Sequence, residues 1–126
     1  LYTTNVRPSD DALQALWQAA WGGPGYENPD AILSRSLCYI CAWADEQLIG
    51  FVNVAWDGGI HASIFDTCVH PSYRHRGIGT ALVRHAADEA RRRGAHWLHV
   101  DFESRLTGFY HACGFRPTAA GLIKLA

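Results

Sequence analysis

Thr67-Cys68-Val69-His70-Pro71-Ser72-Tyr73-Arg74-His75-Arg76-Gly77-Ile78-Gly79-Thr80 runs from a β-prone segment through a proline turn into a glycine-rich helix start. The first turn of a helix leaves backbone N–H groups without acceptors, and the helix dipole adds partial positive charge there. Such a start holds phosphate when glycines let the anion approach the backbone. Gly77 and Gly79 meet that need, and Arg74 and Arg76 add charge. Two other phosphate motifs do not fit. A P-loop has a lysine after its second glycine, where this chain has Thr80. A dinucleotide fingerprint has three glycines after the first strand of a βαβ unit. Here two glycines follow three strand-like runs.

Upstream, Tyr2 to Val6 is short and β-prone, and Arg7-Pro8 breaks it. Ser9 reads as an N-cap with Asp10 and Asp11 in the first turn. Leu13, Leu16, Trp17 and Ala20 recur at helical spacing until Gly22-Gly23-Pro24-Gly25. Asn28-Pro29 starts a short helix reaching about Ser36. Strands are predicted over Leu37 to Ala44, Gln47 to Trp56 and Ile60 to Val69, with turns at Asp45-Glu46 and Asp57-Gly58-Gly59. Downstream, Gly77 to Arg93 reads as a long helix stopped by Gly94, and His96 to Phe102 as a strand. Ser104 caps a helix containing Leu106, Phe109 and Tyr110, and Phe115 to Leu125 offers one or two terminal strands. The order β-α-α-β-β-β-α-β-α-β describes an α+β (mixed α/β) layer with helices on a sheet. No internal repeat or linker is visible, so the expectation is one domain over residues 1–126.

The central phrase resembles the signature Q/R-x-x-G-x-G/A of the GNAT (GCN5-related) N-acetyltransferases, matched by Arg74, Gly77 and Gly79. Downstream, Phe109-Tyr110-His111-Ala112-Cys113-Gly114-Phe115 looks like the family's F-Y-x-x-x-G-F, with a helix and a strand between the two motifs. The resemblance implies the GNAT fold: a mostly antiparallel twisted sheet, splayed at a cofactor cleft, with helices on both faces. It implies acetyl-CoA as co-substrate. The backbone of Thr67, Cys68 and Val69 would pair with the pantetheine arm as an added strand. Arg74, His75, Arg76, Gly77, Ile78, Gly79 and Thr80 would wrap the pyrophosphate with backbone amides. Many members carry an asparagine near Glu103 that bonds the pantetheine; here Ser104 is the replacement. Family members are often dimers, which carries the expectation of a homodimer.

Acetyl transfer to an amine requires a neutral nucleophile, a hydrogen-bond donor at the carbonyl and a proton for the leaving thiolate. The resemblance places Tyr110 as the general acid, against a reading as a core aromatic. The Val69 N–H is the candidate carbonyl donor. Asp66 is the candidate base, as the only carboxylate between Gly58 and Asp88, and the competing reading has it bonded to a turn or a tyrosine. Asp101 and Glu103 are the other carboxylates considered. Trp17, Trp21, Tyr26, Trp43 and Trp56 are available for an acceptor pocket, although core packing explains most of them. His70, His75 and His111 lie near the motifs and read as exposed turn and helix residues. The acceptor is expected to be a small-molecule primary amine. A protein lysine or N-terminus, or a module that binds acyl-CoA without turnover, are the alternatives. The tail Arg116 to Ile123 resembles that of a subgroup including plastid-type enzymes that act on arylalkylamines.

Composition narrows the rest. The chain has 126 residues, 48% hydrophobic and 18% charged, with a net charge of -1. A packed core follows, and no global basic field exists for nucleic acid or an anionic membrane. No apolar run approaches about 18 residues, and Leu1 to Arg7 lacks the order of a secretory signal, so a cytoplasmic location is expected. The chain contains no methionine, so the native start is expected before Leu1. Cys38 and Cys41 form C-x-x-C on a predicted strand, where positions three apart point to opposite faces, so they read as buried structural residues. His96 and His99 fail as a metal pair for the same reason, and no metal is expected.

Overall fold

The computed structural model describes residues 1–126. Its sheet has five strands in sequence order: β1 (Tyr2–Thr4), β2 (Ser36–Ala44), β3 (Gln47–Trp56), β4 (His61–Val69) and β5 (Trp97–Val100). The first four are antiparallel neighbours, and β5 lies parallel to β4. The helices are α1 (Asp10–Trp21), α2 (Pro29–Leu33), α3 (Ile78–Arg92) and α4 (Thr107–Ala112). They cover both faces, so the α+β architecture expected from the sequence is the one observed. No helix is long and apolar enough to cross a membrane.

Two apolar clusters hold the layers together. Leu82, Val83, Ala86 and Ala90 of α3 pack with Ile40, Val52, Val54 and Ile64 of the sheet, joined by Tyr110 of α4. On the opposite face, Leu13, Leu16 and Trp17 of α1 pack with Cys41, Phe51 and Cys68. Because both faces are covered, β3 is buried from Leu48 to Val54 and carries an almost continuous apolar run. Cys38 belongs to the α3 face and Cys41 to the α1 face, as strand geometry requires. Burial pushes their thiols up to about 11 and about 12, so both stay protonated and inert.

Local signals set the element ends. The Ser9 hydroxyl accepts from Ala12 N–H at 3.0 Å, and Gly22, at φ 72°, closes α1 in the left-handed region. Asn28 caps α2 by accepting from Ala31 N–H at 3.3 Å.

Three expectations are corrected. No strand forms from Phe115 to Ala126, and Leu122, Ile123 and Leu125 lie on the surface. Pro117 lacks a ladder donor, Ala119-Ala120-Gly121 has little β-propensity, and β5 offers an edge of only four residues. β5 ends at Val100, which puts Asp101 and Phe102 beyond the sheet. Ser104 opens a 3₁₀ turn (Ser104–Leu106) before α4 and caps nothing with its side chain.

Candidate active site

The sheet splays where β4 and β5 part. β5 pairs only with His61 to Ile64, so from Phe65 to Val69 that side of β4 has no neighbouring strand. On its other side β4 carries a β-bulge. Phe65 faces Asn53 and Cys68 faces Phe51, so Asp66 and Thr67 together oppose Val52. Asp66 takes the bulge conformation at φ 60°. The extra residue resets the alternation. Ile64 and Val69 point to the α3 side, whereas Asp66 and Cys68 point to the α1 side. Adjacent residues Asp66 and Thr67 thereby serve opposite faces of one strand.

Main-chain groups follow the ladder. The His70 N–H donates to Ile49 O at 2.7 Å, so the next bonded pair on an antiparallel ladder is Cys68 with Phe51. Val69, between them, turns its N–H and C=O away from β3 into the cleft, where the Arg74 Nε donates to Val69 O at 3.3 Å. Val69 thus keeps a free N–H. Cys68 does not: its main chain belongs to β3 and its thiol, pushed up to about 12 by burial, sits in the α1-side core. Of the three residues expected to pair with a pantetheine arm, Cys68 therefore has its main chain already engaged with β3. Thr67 Oγ1 is buried without a hydrogen bond of ordinary geometry, an unmet polar atom at the wall of the cleft.

Tyr110 stands on the α3 side of that cleft, 6% exposed. Its ring stacks on Phe102 at 4.8 Å and meets Phe109 and Phe115 edge-on. Burial raises the phenol above its ordinary value, the nearby Thr67 hydroxyl opposes the shift, and Cys113 adds to it. The group is therefore a protonated donor across the neutral range.

The start of α3 has the open backbone of a helix N-terminus. The first bond within α3 runs from Ala81 N–H to Gly77 O at 3.0 Å, leaving the amides of Ile78, Gly79 and Thr80 without helical acceptors. Gly77, at φ 80°, makes the turn into α3 and faces open space. A groove of about 390 Å³ continues from Gly77 and Thr80 along α3 past Arg84 and Asp88. The Arg74 guanidinium is turned away from this start and bonds Val69 O and Ala20 O, each at 3.3 Å, tying the end of α1 to the end of β4. Arg76 lies over the Tyr73 ring, 5.2 Å from its centroid, and His75 occupies the left-handed region at φ 63°. Gly79 makes room for protein as well. A Cβ there would meet the Phe109 ring at 3.3 Å. Gly79→Val is expected to force α4 from α3 and lower stability by about 1–3 kcal/mol. An unchanged melting temperature contradicts this packing role.

On the α1 side, Asp66 Oδ2 accepts from the Tyr26 hydroxyl at 2.6 Å, while Oδ1 has no partner. The tyrosine-bound reading of Asp66 is the observed one, and it holds the carboxylate at the edge of a cavity of about 420 Å³. Burial and the Asp66 carboxylate push the Tyr26 phenol far up, so Tyr26 donates rather than ionises. Ile32, Arg35, Asn53 and Phe65 also line the cavity. Of these, Asn53 is buried and accepts from the Ser36 hydroxyl. Glu103 instead pairs with Arg105 at 2.9 Å, and neither it nor Asp101 reaches the cavity. Ser104 is exposed. Of the aromatic candidates only Tyr26 lines the pocket: Trp17 is core, Trp43 bonds Thr3 at 2.8 Å and Trp56 bonds Gly59 O at 2.7 Å. Ile32, Arg35, Asn53 and Phe65 went unnoticed in the sequence because no motif marks them.

The acetyltransferase (GNAT) family model matches residues 7–115. The chain belongs to the GNAT acetyltransferase family. Streptothricin acetyltransferase of Streptomyces lavendulae is 37% identical over 98 residues, 74% of this chain and 51% of that protein. Mycothiol acetyltransferase of Nocardia farcinica is 33% identical over 97 residues, 72% of this chain and 32% of that protein. The GNAT chain therefore spans about half or less of the length of these two relatives. Among solved structures, a GNAT family acetyltransferase from Streptococcus pneumoniae superposes with a TM-score of 0.84 at 24% identity, over 100% of this chain and 97% of that one. The ribosomal-protein-S18-alanine N-acetyltransferase of Escherichia coli gives 0.76 at 22% identity, over 94% and 80%. These structural likenesses bear on the fold. The GNAT motifs at Arg74, Gly77, Gly79 and Tyr110 fall at the helix start and the cleft just described.

Proposed function

We propose that this GNAT chain transfers an acetyl group from acetyl-CoA to the primary amine of a small molecule, with Tyr110 as general acid and Asp66 as general base. The observation that carries the reading is the bulge in β4. It gives one strand end two working sides: Thr67 toward Tyr110, and Asp66 toward a cavity sized for a small ligand. A cavity of about 420 Å³ falls in the ordinary range for small-molecule sites.

The residues present fit acetyl-CoA. The free amides at the start of α3, from Ile78 to Thr80, suit the pyrophosphate, and the groove past Arg84 leaves room beyond it. The Val69 N–H suits the pantetheine or the thioester carbonyl, and the unmet Thr67 hydroxyl supplies a further polar group. Asp66 takes the proton of the acceptor ammonium through its free Oδ1. The neutral amine attacks the thioester carbon, so a C–N bond forms as the C–S bond breaks, and the nitrogen sheds its second proton to solvent, from which Tyr110 regains the proton it gives the sulfur. The Val69 N–H stabilises the carbonyl oxygen as it gains charge. Tyr110 donates to the departing sulfur. An alkyl thiol titrates near about 8.5 and the phenol above its ordinary 10, so Tyr110 remains protonated until the sulfur carries charge.

Thiol release measured over an amine panel tests the proposal. Amine-dependent release with a matching acetylated product is expected. Acetyl-CoA binding without release for any small amine contradicts it, and release that requires a peptide amine moves the acceptor to proteins.

A further inference from the structure

We propose that the acceptor amine also carries an anionic group, a carboxylate or a phosphate, which Arg35 binds while the amine faces Asp66. This rests on the acetyltransferase reading of the same site and names its substrate class. Asp66 and Arg35 line one cavity, yet no ion pair joins them. The cavity therefore presents opposite charges at separate points.

Like Arg74, Arg76, Arg84 and Arg116, Arg35 has no carboxylate partner, but it is the arginine that lines this cavity. Arg7, Arg91, Arg92, Arg93 and Arg105 each pair with a carboxylate. Arg35 makes a single side-chain bond, from Nη1 to Ala31 O at 2.6 Å. That bond anchors the guanidinium to the end of α2 and leaves its other N–H donors free, arranged as the fork that receives a carboxylate or phosphate. The same cavity is lined by Ile32 and Phe65, apolar side chains left 37% and 46% exposed. They provide a wall for an alkyl or aryl body. An amine with a neutral tail would leave Arg35 unmatched, and a diamine would set a second cation against it. An amine with an anionic tail matches Asp66, the apolar wall and Arg35 together.

The test compares 4-aminobutyrate with butylamine, 6-aminohexanoate with hexylamine, and phosphoethanolamine with ethanolamine, with cadaverine as the dicationic control. Charge-assisted hydrogen bonds lead us to expect kcat/KM about tenfold to a hundredfold higher for the anionic member of the matched pair that fits. Preference within the carboxylate pairs or within the phosphate pair identifies the group. Arg35→Gln should bring that ratio toward one through KM, and Arg35→Lys should restore part of it, with melting temperatures confirming that both variants fold. Equal use of paired amines, preference for cadaverine, or a ratio unmoved in Arg35→Gln overturns the proposal. Calorimetric titration of 6-aminohexanoate and phosphoethanolamine, with and without CoA, separates the two readings. If no amine is acetylated but one of them binds the parent and not Arg35→Gln, the anion site stands and the transferase reading fails. If neither binds and neither is acetylated, the anion site fails.

Discussion

Tyr110→Phe is expected to lower kcat about 10²–10⁴-fold while acetyl-CoA affinity stays close to the parent's. The substitution removes one oxygen from a ring packed against Phe102, Phe109 and Phe115, so the aromatic cluster persists. What is lost is the hydroxyl proposed to protonate the departing sulfur. Because burial holds the phenol above its ordinary value, the parent should show no alkaline loss of kcat from this group below about pH 10. An unaltered kcat on the best acceptor would make Tyr110 a packing residue and leave the thiolate to take its proton from water.

Asp66→Asn is expected to reduce kcat/KM at neutral pH by a comparable 10²–10⁴-fold, and the loss should shrink as pH rises toward the amine's own pKa near about 10. The sign follows from the task. A base is needed only while the acceptor arrives as an ammonium ion, and that fraction falls with pH. A carboxylate that merely attracts the cation behaves differently: its removal raises KM and leaves the pH dependence of kcat unchanged. Asp101→Asn and Glu103→Gln should keep the parent's profile, since one lies beyond the sheet and the other pairs with Arg105. If Asp66→Asn also keeps it, the proton leaves through water and main-chain carbonyls.

Much of the fold was legible because its signals are local. Ser9, Gly22 and Asn28 mark helix ends through bonds that span only a few residues. The apolar run over β3 and the Gly77 turn into α3 are equally local. The tail misled because β-strands need a partner: apolar residues at Leu122, Ile123 and Leu125 do not make a strand beside a four-residue edge. In the site, Tyr110 and the helix start were found through motifs. The bulge was not, since nothing in Phe65-Asp66-Thr67 announces a left-handed aspartate. Its consequence, an Asp66 turned to Tyr26 and away from Tyr110, comes from register against β3. Arg74 and Gly79 show a different limit. Their identity matched the motif, yet the guanidinium ties α1 to β4 and the missing Cβ makes room for Phe109.

A crystal structure of the chain with CoA bound is the most direct test of the two-sided strand at the centre of this account. The pyrophosphate is expected on the amides of Ile78 to Thr80, the pantetheine along β4 against Thr67 and the Val69 N–H, and the sulfur within hydrogen-bonding reach of the Tyr110 hydroxyl. Asp66 should remain on the far side of the strand, facing the cavity. CoA held elsewhere, or a sulfur separated from Tyr110 by the body of β4, would contradict the account.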